Sequence, residues 1–175
     1  MNKNFEYANY AALAYFDPGE SKDSAFEYRT IFVESDNAEA WIFFTPEVNV
    51  ISCRGTEPSQ LKDITADLKF WRIDPAGTGE KVHSGFWSEA FSLFPKIIRN
   101  LPDDSKPLAI TGHSLGGAMA VIMTGFLLKS GYNVKELYPE IVKELEDLAE
   151  IARNDLGDDL NNRIGNNIRE AGTIE

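Results

Sequence analysis

The segment Gly112-His113-Ser114-Leu115-Gly116-Gly117 constrains this chain more than any other. It follows a short apolar run, residues 107–110, and opens a small-residue stretch with helical character, residues 118–128. A strand, a tight turn and a helix form the context that a G-x-S-x-G nucleophile elbow requires. So sharp a turn strains the serine backbone and brings strand and helix close enough that only residues without a Cβ fit on either side. Gly116 and Gly117 leave the first helical turn bare. The Ser114 hydroxyl is therefore expected to stand exposed, beside helix N–H groups that lack an intrahelical acceptor. The plainer alternative is an ordinary glycine-rich turn between strand and helix, and the patterns on both sides favour the elbow.

A length of 175 residues suits one domain, able to bury about two-thirds of its unfolded surface. With 43% hydrophobic and 26% charged residues, the chain has the balance of a soluble globular protein. A net charge of −11 argues against binding nucleic acid and against electrostatic docking on anionic lipid. Over half of that excess falls in residues 139–175, with ten acidic residues against four basic ones. The lone cysteine, Cys53, lies in an apolar run and reads as a buried strand thiol rather than a reactive one. Residues 1–6 lack the apolar core of a secretory signal, and no apolar run reaches membrane-spanning length. A cytoplasmic location is the default expectation, with export by a route that uses no cleaved signal left open.

Periodicity places a helix over residues 5–15, with Ala8, Ala11, Ala12 and Tyr15 on one face, stopped by Asp17-Pro18-Gly19. Three strands are expected over 28–33, 40–44 and 48–53, with breaks short enough to make them antiparallel neighbours. Leu61, Ile64, Leu68 and Trp71 recur at helical spacing beyond Pro58, and Gly77-Thr78-Gly79 is a turn. A helix over about 86–100 carries the apolar stripe Trp87, Ala90, Phe91, Phe94 and Ile98. The order strand, helix, strand, elbow, helix implies a parallel crossover and an α/β fold.

Taken in order, these pieces identify a family. Tyr10-Ala11-Ala12-Leu13-Ala14-Tyr15, Arg54-Gly55-Thr56, Asp63-Ile64-Thr65-Ala66-Asp67-Leu68, Val82-His83-Ser84-Gly85-Phe86 and the elbow occur at the spacing of class 3 lipases. The chain resembles that fungal-lipase-like branch of the α/β-hydrolases over about residues 5–138. The resemblance implies an α/β-hydrolase-like mixed sheet with flanking helices over residues 1–138. Where the chain departs from the family, the residues themselves predict a truncated sheet without the usual C-terminal strands and an acidic helical extension over 139–175. It implies that Ser114 is the nucleophile of acyl transfer, and that the backbone N–H groups of Thr56 and Leu115 form the oxyanion hole. Read without the resemblance, Thr56 is a strand-end residue. Residues 58–71 correspond to the lid of secreted relatives, while their apolar residues alone describe a core-facing stripe.

A serine hydroxyl needs a base to take its proton, and the family uses a histidine oriented by an aspartate, both later in the chain than the serine. Here the two histidines, His83 and His113, both precede Ser114. His113 is expected to pack beneath the turn, and His83 matches a family histidine that is not the base. General base and acid are left unassigned. Residues 134–138 match the family's next strand, after which Pro139-Glu140 begins a different pattern. Ile141, Leu145, Leu148 and Ala152 stripe one expected helix, and Leu160, Ile164, Ile168 and Ala171 a second. Asp155, Asp158 or Asp159 could replace the triad acid only by folding back to the strand ends. The Asp/Asn-rich run over 154–167 lacks the spacing of a calcium loop, so no metal and no cofactor is expected.

Three functions remain open from sequence. The first is a serine ester hydrolase acting on lipid or small acyl esters. The second is a non-catalytic acyl-binding or interaction module derived from a lipase, or a shortened gene product. The third is an acyltransferase or thioesterase, which shares the acyl-enzyme chemistry. An open sheet edge would suit a second copy or a partner chain.

Overall fold

The structure, a computed structural model, describes residues 3–19, 28–35, 38–55, 72–73, 82–102 and 106–140. Its elements are α1 (Lys3–Leu13), β1 (Thr30–Glu34), β2 (Glu39–Phe44), β3 (Asn49–Cys53), β4 (Arg72–Ile73), β5 (Val82–His83), α2 (Ser84–Asn100), β6 (Leu108–His113), α3 (Leu115–Lys129) and β7 (Val134–Glu140). Five strands form a mixed sheet in the order β1-β2-β3-β6-β7, and β4 pairs with β5 in a separate two-stranded ladder. The first three strands are antiparallel, as short polar breaks demand. β3, β6 and β7 run parallel, which needs the crossovers that α2 and α3 supply. A mixed sheet with crossover helices packed on it is the α/β-hydrolase-like architecture expected from the order of elements.

Alternation along the strands sorts side chains onto two faces. Ile42, Ile51, Cys53 and Ile110 join α2 and α3 in the larger core. Trp41, Phe43, Val50 and Ala109 pack against Tyr7, Tyr10 and Ala14 on the α1 side. All five residues of β3 are buried, as expected of a central strand covered on both faces. α3 is buried continuously from Leu115 to Gly125, so it lacks a polar stripe. The polar groups under α1 are satisfied: Ser52 Oγ donates to Tyr10 O at 2.9 Å, and Thr111 Oγ1 lies 2.8 Å from Tyr138 O. Tyr7 stacks on Tyr138 with ring centroids 4.2 Å apart. Cys53 is fully buried, which pushes its thiol up to about 12, as befits an unreactive core group.

The stripe expected on α2 is displaced. The residues that α2 buries are Phe86, Ala90, Leu93 and Ile97, and only Ala90 belongs to both sets. Trp87, Phe91 and Phe94 instead surround Phe126 of α3, with centroids 4.7, 6.2 and 5.5 Å away, and Phe91 stays 63% exposed. Trp87, Phe91 and Phe94 mark the helix–helix flank, while the buried stripe, Phe86, Ala90, Leu93 and Ile97, runs one position earlier along the helix. β7 also continues through Glu140, pairing Pro139 with Gly112 and Glu140 with His113. The strand therefore outlasts the pattern change expected at residue 139. The expected lid helix over 58–71, the turn at 77–79, the helical extension beyond residue 140 and Asp155, Asp158 and Asp159 lie outside the described residues. Among the described residues, no helix is long and apolar enough to cross a membrane, and no three His, Cys, Asp or Glu side chains are grouped to hold a metal ion.

On the other flank of α2, Ser92 Oγ donates to Ser35 Oγ and Lys96 Nζ to Glu34 O, tying the helix to the end of β1. Glu89 lies one turn earlier on that flank, and burial raises its carboxyl from 4.5 to about 7. Because the folded state holds this proton more tightly than the unfolded chain, its contribution is fully present below about 4.5 and is lost as pH rises to about 7. Glu89→Gln is therefore expected to flatten the fall in melting temperature between pH 5 and 8 and to raise its value at pH 8. Parallel melting curves for the two proteins across that range would contradict the burial account.

Candidate active site

Ser114 is the only described non-glycine residue with a positive φ, at φ 56 and ψ −125. That combination is costly for a residue with a Cβ and persists where surrounding packing enforces it. β6 enters the turn and α3 leaves it, so the elbow expected from the glycine pattern is present. The Ser114 carbonyl accepts from Gly117 N–H at 2.9 Å and Ala118 N–H at 3.4 Å, which closes the first helical turn. The N–H groups of Leu115 and Gly116, at the helix start, have no acceptor within the helix.

Backbone packing sets this geometry. A Cβ on Gly112 would strike the Gly116 carbonyl, and one on Gly116 would strike Cys53 O and lie 2.8 Å from Gly55 N. The end of β3 and the segment after it thus press directly on the first turn of α3. Contrary to the exposure expected from the glycine pattern, Ser114 Oγ is completely buried, and it has no hydrogen-bond partner among the described residues. An unpaired buried hydroxyl costs about 1–3 kcal/mol, so it marks either strain or a group awaiting a reaction partner.

His113 makes no hydrogen bond to that hydroxyl. Its Nδ1 shares a hydrogen bond with Tyr15 Oη at 3.0 Å, and the two rings meet edge to face. It packs against the end of α1, as expected for a residue beneath the turn. His83 contributes its backbone to β5, opposite Arg72. Thr56 lies outside the described residues, which stop at Gly55 on that segment. The structure thus brings together Ser114, Leu115 and the segment leading to Thr56. It also supplies an unforeseen network: Arg54 Nη1 lies 2.5 Å from Asp17 Oδ1 and 2.9 Å from Glu39 Oε2. Tyr15 and Arg54 belong to the motif pieces read from the sequence, but only a fold could show that the turn after α1 brings Tyr15 to His113 and Asp17 to Arg54.

A family model for class 3 lipases matches residues 50–143. Among solved structures, the Rhizomucor miehei triacylglyceride lipase superposes with a TM-score of 0.65 at 24% identity, over 79% of this chain and 60% of that one. A lipase from Rhizopus microsporus var. chinensis gives 0.60 at 25% identity, over 78% and 55%. A triacylglycerol lipase whose catalytic centre is a serine protease triad gives 0.61 at 25% identity, over 77% and 57%. The chain thus spans less than two-thirds of the length of these lipases. No curated protein matches it significantly.

Proposed function

The chain belongs to the class 3 lipase family, and from that premise we propose that it hydrolyses carboxylic esters of lipid or small acyl substrates through an acyl-enzyme on Ser114. The observation that carries this reading is the buried Ser114 hydroxyl, unpartnered among the described residues, on a strained elbow at a bare helix start. In the reaction, Ser114 Oγ attacks the ester carbonyl carbon and gives its proton to a base. The resulting oxyanion accepts from the N–H groups of Leu115 and Thr56. Collapse breaks the bond to the alcohol, which leaves protonated, and water then cleaves the acyl-enzyme to the free acid and restores the serine. Each oxyanion donor is worth on the order of 10²–10³ in rate in comparable hydrolases.

His113 is not assigned as the base, because Tyr15 engages its Nδ1 and Ser114 Oγ is not bonded to it. The family's base follows the serine, and no histidine does so among these 175 residues. The complete burial of the Ser114 hydroxyl, unbonded among the described residues, favours a second reading, a lipase core that binds acyl chains without turning them over. Hydrolysis of p-nitrophenyl butyrate separates the two. The hydrolase reading expects turnover by the wild-type protein that falls to the buffer rate in Ser114→Ala. Equal rates in both, together with a fatty acid that raises the melting temperature, would establish the binding reading instead.

A further inference from the structure

The turn that ends α1 reaches the elbow at two points. Tyr15 Oη bonds His113 Nδ1, the side chain directly before the nucleophile. The same hydroxyl sits over Gly55, where a Cβ would lie 2.6 Å from it, strike His113 O and come within 3.3 Å of Gly116 N. Two residues on, Asp17 grips Arg54, which Glu39 holds from the other side through both its carboxylate and its carbonyl. The Arg54 side chain is only 15% exposed, so this cation is largely withdrawn from water and its position is set by the two carboxylates. Both contacts act on residues 54 and 55, and Thr56 follows immediately.

That placement matters because residues 54 and 55 approach Gly116 of the elbow through main-chain atoms. Arg54 C and Gly55 N lie 2.9 and 2.8 Å from the position of a Cβ on Gly116. These nearest approaches are main chain on main chain, so the separation of the two segments responds to what braces them from outside. Oxyanion donors work only when aimed within about 2.7–3.1 Å of the developing charge. A displacement of about 1 Å can cost about 10² in rate.

We propose that Tyr15 is a positioning residue for the reaction at Ser114: through His113 and Gly55, its hydroxyl sets the spacing between the elbow and the segment that carries the second oxyanion donor. Asp17, through Arg54, braces the same segment. This inference rests on the reading of Ser114 as nucleophile with the Leu115 and Thr56 N–H groups as donors. A tyrosine that only stabilised the fold would affect melting and leave the bond-forming step alone.

The test is the kinetics of Ser114 labelling by an alkyl fluorophosphonate, resolved into reagent binding and bond formation, in wild type, Tyr15→Phe and Asp17→Asn. Tyr15→Phe removes one oxygen and keeps the ring. Its bond-forming rate is expected to fall about 10-fold, a tenth of the loss set by a full misplacement, with reagent affinity and melting temperature close to wild type. Asp17, whose side chain is 56% exposed, is a milder change, and Asp17→Asn is expected to slow the same step by a few-fold. If Tyr15→Phe does not fold, Asp17→Asn decides alone. Labelling of folded variants at the wild-type rate overturns the positioning role while leaving the nucleophile reading intact. A wild-type protein that does not label at all removes that reading, and this inference with it.

Discussion

Gly116→Ala is expected to lower stability by about 3 kcal/mol and to suppress any reaction at Ser114. The added methyl would strike Cys53 O and press on Gly55 N and Arg54 C, at 2.8 and 2.9 Å. All three are main-chain atoms, so no rotamer change relieves the collision. Either β3 and its following segment move away from α3, or the helix start moves away from β6. Overpacking of a core typically costs about 1–3 kcal/mol, and the upper end applies where only backbone can yield. For a chain of this length, such a loss lowers the melting temperature by about 6–12 °C. Scanning calorimetry checks the first effect and fluorophosphonate labelling the second. An alanine variant that melts and labels like wild type would mean that the segments are not in contact as described.

Ser114→Gly is expected to act in the opposite direction on stability, raising it by about 2 kcal/mol while abolishing the reaction. Two separate costs disappear together. The backbone at φ 56 and ψ −125 is strained for serine and open to glycine, a difference of about 1–3 kcal/mol. The buried hydroxyl, unpartnered among the described residues, is removed as well, relieving about 1–3 kcal/mol. Glycine's greater freedom in the unfolded chain offsets roughly 0.5–1 kcal/mol of this gain. Ser114→Ala loses the hydroxyl but keeps the strained backbone, so its stability is expected between the two. The order glycine, alanine, serine in urea midpoints is the signature of a site held in tension for chemistry. A glycine variant less stable than wild type would show that the hydroxyl contributes to packing and is not under strain.

Much of this site was legible in the sequence because its determinants are local. The glycines flanking Ser114, the strand before it and the small-residue helix after it specify an elbow within about twenty residues, and the structure has it at that place. The antiparallel start of the sheet followed from breaks too short for a crossover. What the sequence misplaced depends on neighbours distant along the chain. The α2 stripe was drawn through its largest residues, but Trp87, Phe91 and Phe94 answer to Phe126, which lies on another helix. The end of β7 was placed at a change of local pattern, yet ladder pairing with Gly112 and His113 carries the strand past Pro139. The Tyr15–His113 bond spans 98 residues, and the Arg54 ion pairs join the ends of three separate segments, after α1, at the start of β2 and after β3. No periodicity records such contacts.

The central claim is that the elbow at residue 114 presents an activated nucleophile. The most direct measurement is peptide mapping by mass spectrometry after brief exposure of the native protein to an alkyl fluorophosphonate. The account predicts a phosphonyl adduct on Ser114, formed far faster than on an exposed serine such as Ser88 and lost when the protein is unfolded before exposure. Native protein that carries no adduct at Ser114, or that labels there no faster than at Ser88, would contradict it.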